Sequence, residues 1–474
     1  MLERIWPLAA LALLAGCSVA GPDYRPPANS VASSAPALGA FHSAVGPAID
    51  GARPLPDHWW RLYHDAQLDT LVEQVLAANT DLRVADANLA RAQAVLQEAQ
   101  AGRSLSTGLS GGTTLARPSG SDAPLPGTLG ANFGISASYP LDLNGRIRRA
   151  IEASSADVEA SIAARDYVRT TVAAATARAY GQVCAANYLL AVNRRVVALQ
   201  RQTLVATQRL ARGGRGTAFD VSRAQSAVDT SEASLPALMG QRQSALYLLA
   251  TLLGRAPADY PAQVGDCAAL PVLSQPLPTG DGAALIRRRP DIRAAERAIA
   301  ADTARIGVAT ADLYPQVSLG GSLGLSGPLD SIASGSSFGF SLGPLVSWTF
   351  PNRPIVRARI AGAEAQVQGD LARFDGTVIE ALRQTETALE TYRRDNQRAA
   401  ALTKASKSAA LSASQADRLF RFGRGGFLDL LDAERSYATA EVASANARVA
   451  MLDDQIAVFL ALGGGWEAGG PSGH

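Results

Sequence analysis

Four segments of this 474-residue chain alternate with period two, and they restrict its fold more than any other feature. In the first pair, Leu105, Thr107, Leu109, Thr113 and Leu115 oppose Ser104, Ser106, Ser110 and Thr114. Leu129, Ala131, Phe133, Ile135, Ala137 and Tyr139 then oppose Gly130, Asn132, Gly134, Ser136 and Ser138. The second pair repeats the design: Val317, Leu319, Leu323 and Leu325, then Phe338, Phe340, Leu342, Val346, Trp348 and Phe350, stand against Ser, Gly and Gln316. Strict alternation implies strands with two chemically different faces. A soluble two-faced sheet would carry charge on its wet side, whereas this side is almost wholly Ser and Gly. Segments of about ten to twelve residues suit tilted strands that cross a bilayer, with aromatic residues near one end. Four strands cannot close on themselves, and an open edge is not tolerated in lipid. Closure therefore calls for more copies; eight, twelve or sixteen strands would follow, and only the larger barrels leave a water-filled lumen.

The segments belong to a repeat. RLARGGRGTAFDVSRAQ, from Arg209, returns as RLFRFGRGGFLDLLDAE, from Arg418, so Gly214, Arg215 and Gly216 answer Gly423, Arg424 and Gly425. Asn79, Asp81 and Ala85 likewise answer Arg289, Asp291 and Ala295. The natural unit is a half-chain. Helical periodicity over 142–212 predicts a rod of about 105 Å, with a return over 220–253 of about 50 Å and a further helix over 283–313 of about 45 Å. The second half matches this with 353–422, 429–462 and a helix from about 68 to 101. One long helix is thus met by two shorter ones laid end to end, and the glycine turns fall at the end farthest from the strands. Low aromatic content, 6%, and abundant alanine suit long helices packed at close range.

The predicted order is a cleaved signal peptide over 1–16, an arm and equatorial segment over 17–67, a helix over 68–102 and a strand hairpin over 103–140. A helical hairpin over 141–254, an equatorial segment over 255–283 and a helix over 284–313 follow. The chain ends with a second strand hairpin over 314–351, a second helical hairpin over 352–463 and a tail over 464–474.

MLERIWPLAALALLAGC opens with one arginine and an apolar run too short for a permanent membrane helix. Leu14, Ala15, Gly16 and Cys17 resemble the lipobox of bacterial lipoproteins, which implies cleavage before Cys17 and acylation there. Several acyl chains make a durable anchor where one is marginal. Ser18, in place of an aspartate, favours the outer membrane. Export leaves Cys184 and Cys267 in an oxidising compartment, where they either form a disulfide or stay as buried thiols; their spacing leaves both open.

A net charge of +2, with bases and acids interleaved, argues against a nucleic-acid partner. The only lysines are Lys404 and Lys407, so neither glycine turn carries the lysine of a phosphate loop. GGSLG at 320–324 and GSSFG at 335–339 match a hydrolase nucleophile motif, but both lie in alternating strands and lack the strand-to-helix elbow. His42, His58, His64 and His474 lack further ligands at metal-site spacing, and His58 and His64 flank Trp59, Trp60 and Tyr63, which points to packing. No enzyme activity, cofactor or metal is expected.

With these features in order, the chain resembles the TolC-like outer membrane efflux proteins, and within them the NodT-type lipoproteins, over residues 17 to 466. The resemblance rests on the lipobox followed by GPDYRPP, on SYPLDLNGRIRRAIEA at 138–153, on RRRPDIRAAERAIAAD at 287–302, on DLYPQVSLGGSLG and on the paired glycine turns. It implies a membrane α+β fold: a homotrimer whose four strands per chain form a 12-stranded transmembrane β-barrel, continued by a long periplasmic α-helical barrel with an equatorial domain. It also implies partners, namely outer membrane lipids, a periplasmic membrane-fusion adaptor and an inner-membrane pump of the proton-driven RND type. By the resemblance, Gly214, Arg215, Gly216, Thr217, Gly423, Arg424, Gly425 and Gly426 dock the adaptor, and Asp417, with Ser414, Arg418 and Arg421, lies at the periplasmic gate. Ser414 stands where a second acid would complete a double ring. A ring of Asp417 would favour cations; alternatively Asp417 is a helix charge pairing Arg421 at i,i+4. Asp220 and Asp429 suit the starts of the returning helices. The expected function is a passive exit duct; an exit duct for ATP-driven protein or peptide secretion and a non-conducting structural lipoprotein are the alternatives.

Overall fold

The computed structural model describes residues 19–117, 127–267 and 269–465; Cys17, the lipobox, His474 and most of the tail lie outside them. The chain divides into two compact units, one of Met1–Ala28, Asn88–Ile162 and Ala294–Phe374, the other of Asn29–Ala87, Ala163–Arg293 and Asp375–His474.

The first unit carries one antiparallel sheet of β1 (Ser106–Ala116), β2 (Thr128–Leu141), β3 (Gln316–Pro328) and β4 (Phe338–Ser347), in that spatial order. A one-residue slip would turn a strand's apolar set to the opposite face, so the register decides whether the sheet is two-faced. Leu109 pairs with Ile135, Ile135 with Leu323, and Leu323 with Phe340; Phe133 pairs with Leu325, and Leu325 with Phe338. Every expected apolar position in the four strands therefore shares one face. Leu345 is an exception on the other face, where it pairs with Ser318 and leans over Gly320. Phe340 and Leu342 are 79% exposed, so none of the described residues covers the apolar face there. The strands are shorter than expected at their outer limits: Ser104 and Leu105 precede β1, and Trp348 and Phe350 follow β4.

Helices leave the sheet through short capped corners. Asp142, one residue beyond β2, accepts the N–H groups of Ile147 and Arg148 at 2.9 Å, and so starts α3 (Arg146–Arg212). The helix α8 (Arg353–Arg421) starts with proline in its first turn, where no intrahelical donor is lost. Between the helices the packing uses small side chains, as where Ala156 meets Ala300 and Ala301 beneath Tyr24.

Two of the shorter expected helices are broken at positions within the second unit. The first is α1 (Ala66–Ala78) and α2 (Thr80–Ala101), separated by an extended Asn79 whose side chain accepts from Asp81 N and Leu82 N and so caps the second piece. At the corresponding place, extended Arg289 separates α6 (Gly282–Arg288) from α7 (Pro290–Ala311), because the residue before a proline avoids the helical region. The return predicted over 220–253 is also two helices, α4 (Ala218–Glu232) and α5 (Leu235–Leu252), because Pro236 supplies no N–H and its ring would clash with the carbonyl four residues back. Its counterpart α9 (Phe427–Ala461) lacks a proline and runs unbroken.

The core of this unit around Trp59 is aromatic. Trp59 is fully buried, with its ring 4.6 Å from that of Phe459, and Trp60 packs edge-on against both Trp59 and His58. Buried Arg289 closes the end of α9 by donating to Ala461 O at 2.8 Å. Ile49–Asp50 and Leu277–Pro278 form a two-residue parallel bridge, and a disulfide joins Cys184 of α3 to Cys267.

Candidate functional site

Both glycine turns lie in the second unit and reverse the chain in the same way. Gly214 has φ +70° and Gly423 φ +68°, a left-handed conformation that glycine adopts without a Cβ penalty. Gly214 N–H donates to Ala211 O and Arg215 N–H to Leu210 O at 2.9 Å; Gly423 N–H donates to Phe420 O and Arg424 N–H to Leu419 O at 2.8 Å. This bond pair ends a helix by satisfying its last carbonyls. The return helices then differ. Thr217 and Asp220 cap α4 reciprocally, with Thr217 N–H donating to Asp220 Oδ2 at 3.0 Å and Asp220 N–H to Thr217 Oγ1 at 3.1 Å. The Thr217 hydroxyl, which donates to Asp220 Oδ2 at 2.7 Å, and then the Thr217 N–H hold the Asp220 carboxyl below its usual range. On α9 glycine occupies the capping position, so only half of the arrangement remains: Gly426 N–H donates to Asp429 Oδ2 at 3.2 Å. Phe219, Phe422 and Leu428 stand exposed beside the turns.

The proposed gate residues occupy the last two turns of α8. Arg421 Nε donates to Asp417 Oδ1 at 2.8 Å, and Arg418 Nε reaches Ser414 O at 3.4 Å. Within one chain Asp417 is thus a partner of Arg421, and Ser414 adds no acid. Asp417, Arg421, Arg209, Thr203, Phe420 and Leu430 line a cleft of about 390 Å³ between the two hairpins.

A residue beside this cleft escaped the sequence reading. Glu434 of α9 is buried, accepts the Thr203 hydroxyl of α3, and leaves its Oε2 without a partner. Burial first, then the charge of Asp417, push its carboxyl up to about 7 against the pull of the Thr203 bond. A signal was present, since Glu434 follows buried Leu430 and Leu431 by four and three residues, on the apolar face of the helix. The arrangement is an ion pair, helix caps and a buried acid.

The model of the outer membrane efflux protein family matches residues 71–255 and 283–464. The chain belongs to the outer membrane efflux protein family. Its members are channels of the outer membrane with a periplasmic extension. Nodulation protein T of Rhizobium leguminosarum bv. trifolii is 28% identical over 458 residues, covering 96% of each chain. Outer membrane protein OprJ of Pseudomonas aeruginosa is 31% identical over 471 residues, covering 96% of this chain and 94% of its own. Among solved structures, the outer-membrane channel OprN aligns with a TM-score of 0.86 at 34% identity over 94% of this chain and 99% of its own. This efflux protein has an open four-stranded sheet, long helices and two glycine turns.

Proposed function

We propose that this protein is the exit duct of a tripartite efflux pump: a lipid-anchored homotrimer that passively conducts drugs or other small toxic compounds across the outer membrane. One observation carries the reading. The apolar row runs without a break across four strands whose outer two, β1 and β4, keep unpaired edges among the described residues, and the opposite face is mostly Ser and Gly. In hydrocarbon every backbone group needs a partner, so these edges require other copies; three make a twelve-stranded barrel wide enough for water. The internal duplication is supported by the two stretches that match the family and by the shared helix break at Asn79 and Arg289. The tip turns would dock a periplasmic adaptor serving a proton-driven inner-membrane pump, and Asp417, Arg418 and Arg421 with Ser414 would form the gate. Cys17 would carry the lipid, on the strength of the lipobox.

Edge-to-edge crosslinking tests the assembly. Cysteines placed singly at Gly112 on β1 and Gly343 on β4 are expected to give, when combined, a covalent ladder ending at three chains. A ladder ending at two, or no crosslink in outer membranes, would contradict it.

A further inference from the structure

Within the second unit α8 and α9 meet in a steady register. The Ser406 hydroxyl of α8 donates to Glu441 of α9, the hydroxyl oxygens of Thr403 and Ser444 lie 3.4 Å apart, and the Thr385 hydroxyl reaches Ala461 O at 3.3 Å. Numbers that rise along α8 fall along α9, so the two helices are antiparallel. The same register brings Asp395 of α8 to Asp454 of α9. Elsewhere along this seam a hydroxyl supplies the donor; here two acids face each other.

The two carboxyls stand within hydrogen-bond reach. Ionised carboxylates only accept, so contact between them needs a proton. Asp454 Oδ2 is buried and has no donor among the described residues. A buried acceptor in that state is costly unless the facing group donates to it.

The surrounding charges do not remove this need. Arg398 comes only to 3.8 Å of Asp395 and is 67% exposed. Asp453 adds a second negative charge beside Asp454, and the Arg178 guanidinium of α3, which shares a cavity of about 450 Å³ with Asp454, acts on Asp453. Across that cavity Arg289 gives its donors to Asp291, Gln384 and Ala461 O, and Arg383 grips Glu380. Tyr392 of α8 also faces Asp454. In the first unit another acid pair, Asp302 of α7 and Asp370 of α8, differs in having an arginine on each member, Arg305 and Arg373. Burial first, then the charge and hydrogen bond of Asp395 and the charge of Asp453, push the Asp454 carboxyl up to about 6.

We propose that Asp395 and Asp454 share one proton and form a latch between α8 and α9, closed in acid and released when both carboxyls ionise. A folded-state value above the ordinary 3.8 means that the latch contributes fully below about 4 and is lost as the pH rises through about 6. Because α8 ends in Asp417, Arg418 and Arg421, release would loosen the helix that carries the proposed gate. That consequence rests on the duct reading; the latch itself does not.

Two measurements on the full-length protein between pH 5 and pH 8 test this, in a Glu434→Gln background that removes the buried acid nearer the tip. Hydrogen exchange of the α8 and α9 amides around 395 and 454, expressed as protection factors, is expected to show protection falling about tenfold over that range. Infrared difference spectra are expected to lose a protonated-carboxyl band over the same range. Asp454→Asn and Asp395→Asn each place a permanent donor at the contact, so each is expected to abolish both changes and to keep the protection of the acid form. A fall in protection that persists in both variants, or no band loss in their parent, would overturn the proposal. So would protection that follows added calcium and chelator instead of pH, the mark of a bridging divalent cation. Failure of the duct reading would appear separately, as absent channel currents from unmodified trimer.

Discussion

The hydroxyl of Thr203 on α3 donates to Glu434 on α9, joining the two helical hairpins through a carboxyl that is 3% exposed. Its folded-state value of about 7 lies above the ordinary 4.5, so the folded chain favours the protonated form. The stabilisation linked to that proton is complete below about 4.5 and is lost as the pH rises through about 7, up to about 3 kcal/mol. The tip is therefore expected to melt more easily at pH 8 than at pH 6, and Glu434→Gln to flatten this dependence. Hydrogen exchange of the adjoining α3 and α9 amides across that range measures it.

Asp417 and Arg421 are an i,i+4 pair with Arg421 well exposed, and such pairs contribute under about 1 kcal/mol. Asp417→Ala should leave thermal stability nearly unchanged. If Asp417 forms a ring at the gate, the same substitution should raise channel open probability and weaken cation preference in bilayer recordings. A large loss of stability with unchanged currents would return Asp417 to a structural role.

Gly214 and Gly423 have open space around them, so the cost of a side chain there is backbone strain alone. Gly214→Ala and Gly423→Ala are each expected to destabilise by about 1–2 kcal/mol. Gly213→Ala, at a negative φ, should be neutral or slightly stabilising. Thermal melting of the three variants separates conformation from packing.

The Cys184–Cys267 bridge closes a loop of 83 residues that starts in α3. Replacing both cysteines by serine should cost about 2–4 kcal/mol. Calorimetry with and without reductant should show the same drop in the wild type and no effect of reductant on the double variant.

Much of this molecule was legible because its elements are long and their periods unmixed. The alternation that puts Leu109, Ile135, Leu323 and Phe340 in one row reads directly along each strand, and the strand register follows it. The helix breaks at Asn79 and Arg289 were visible as matched positions yet read as continuous, because apolar periodicity crosses both and only the capping geometry separates the pieces. Pro236 carried a break signal of its own. Thr203 and Glu434 are 231 residues apart, a pairing that no local pattern encodes. Arg149 lies in a motif that supports the family resemblance, but its partners at Ala20 and Gly21 are backbone carbonyls, which leave no mark in sequence.

Planar-bilayer recording of the purified trimer tests the central claim most directly. Discrete ion-conducting steps are expected, rare in the unmodified protein and frequent after Asp417→Ala. No conductance from either form, at any voltage or pH between 5 and 8, would contradict it.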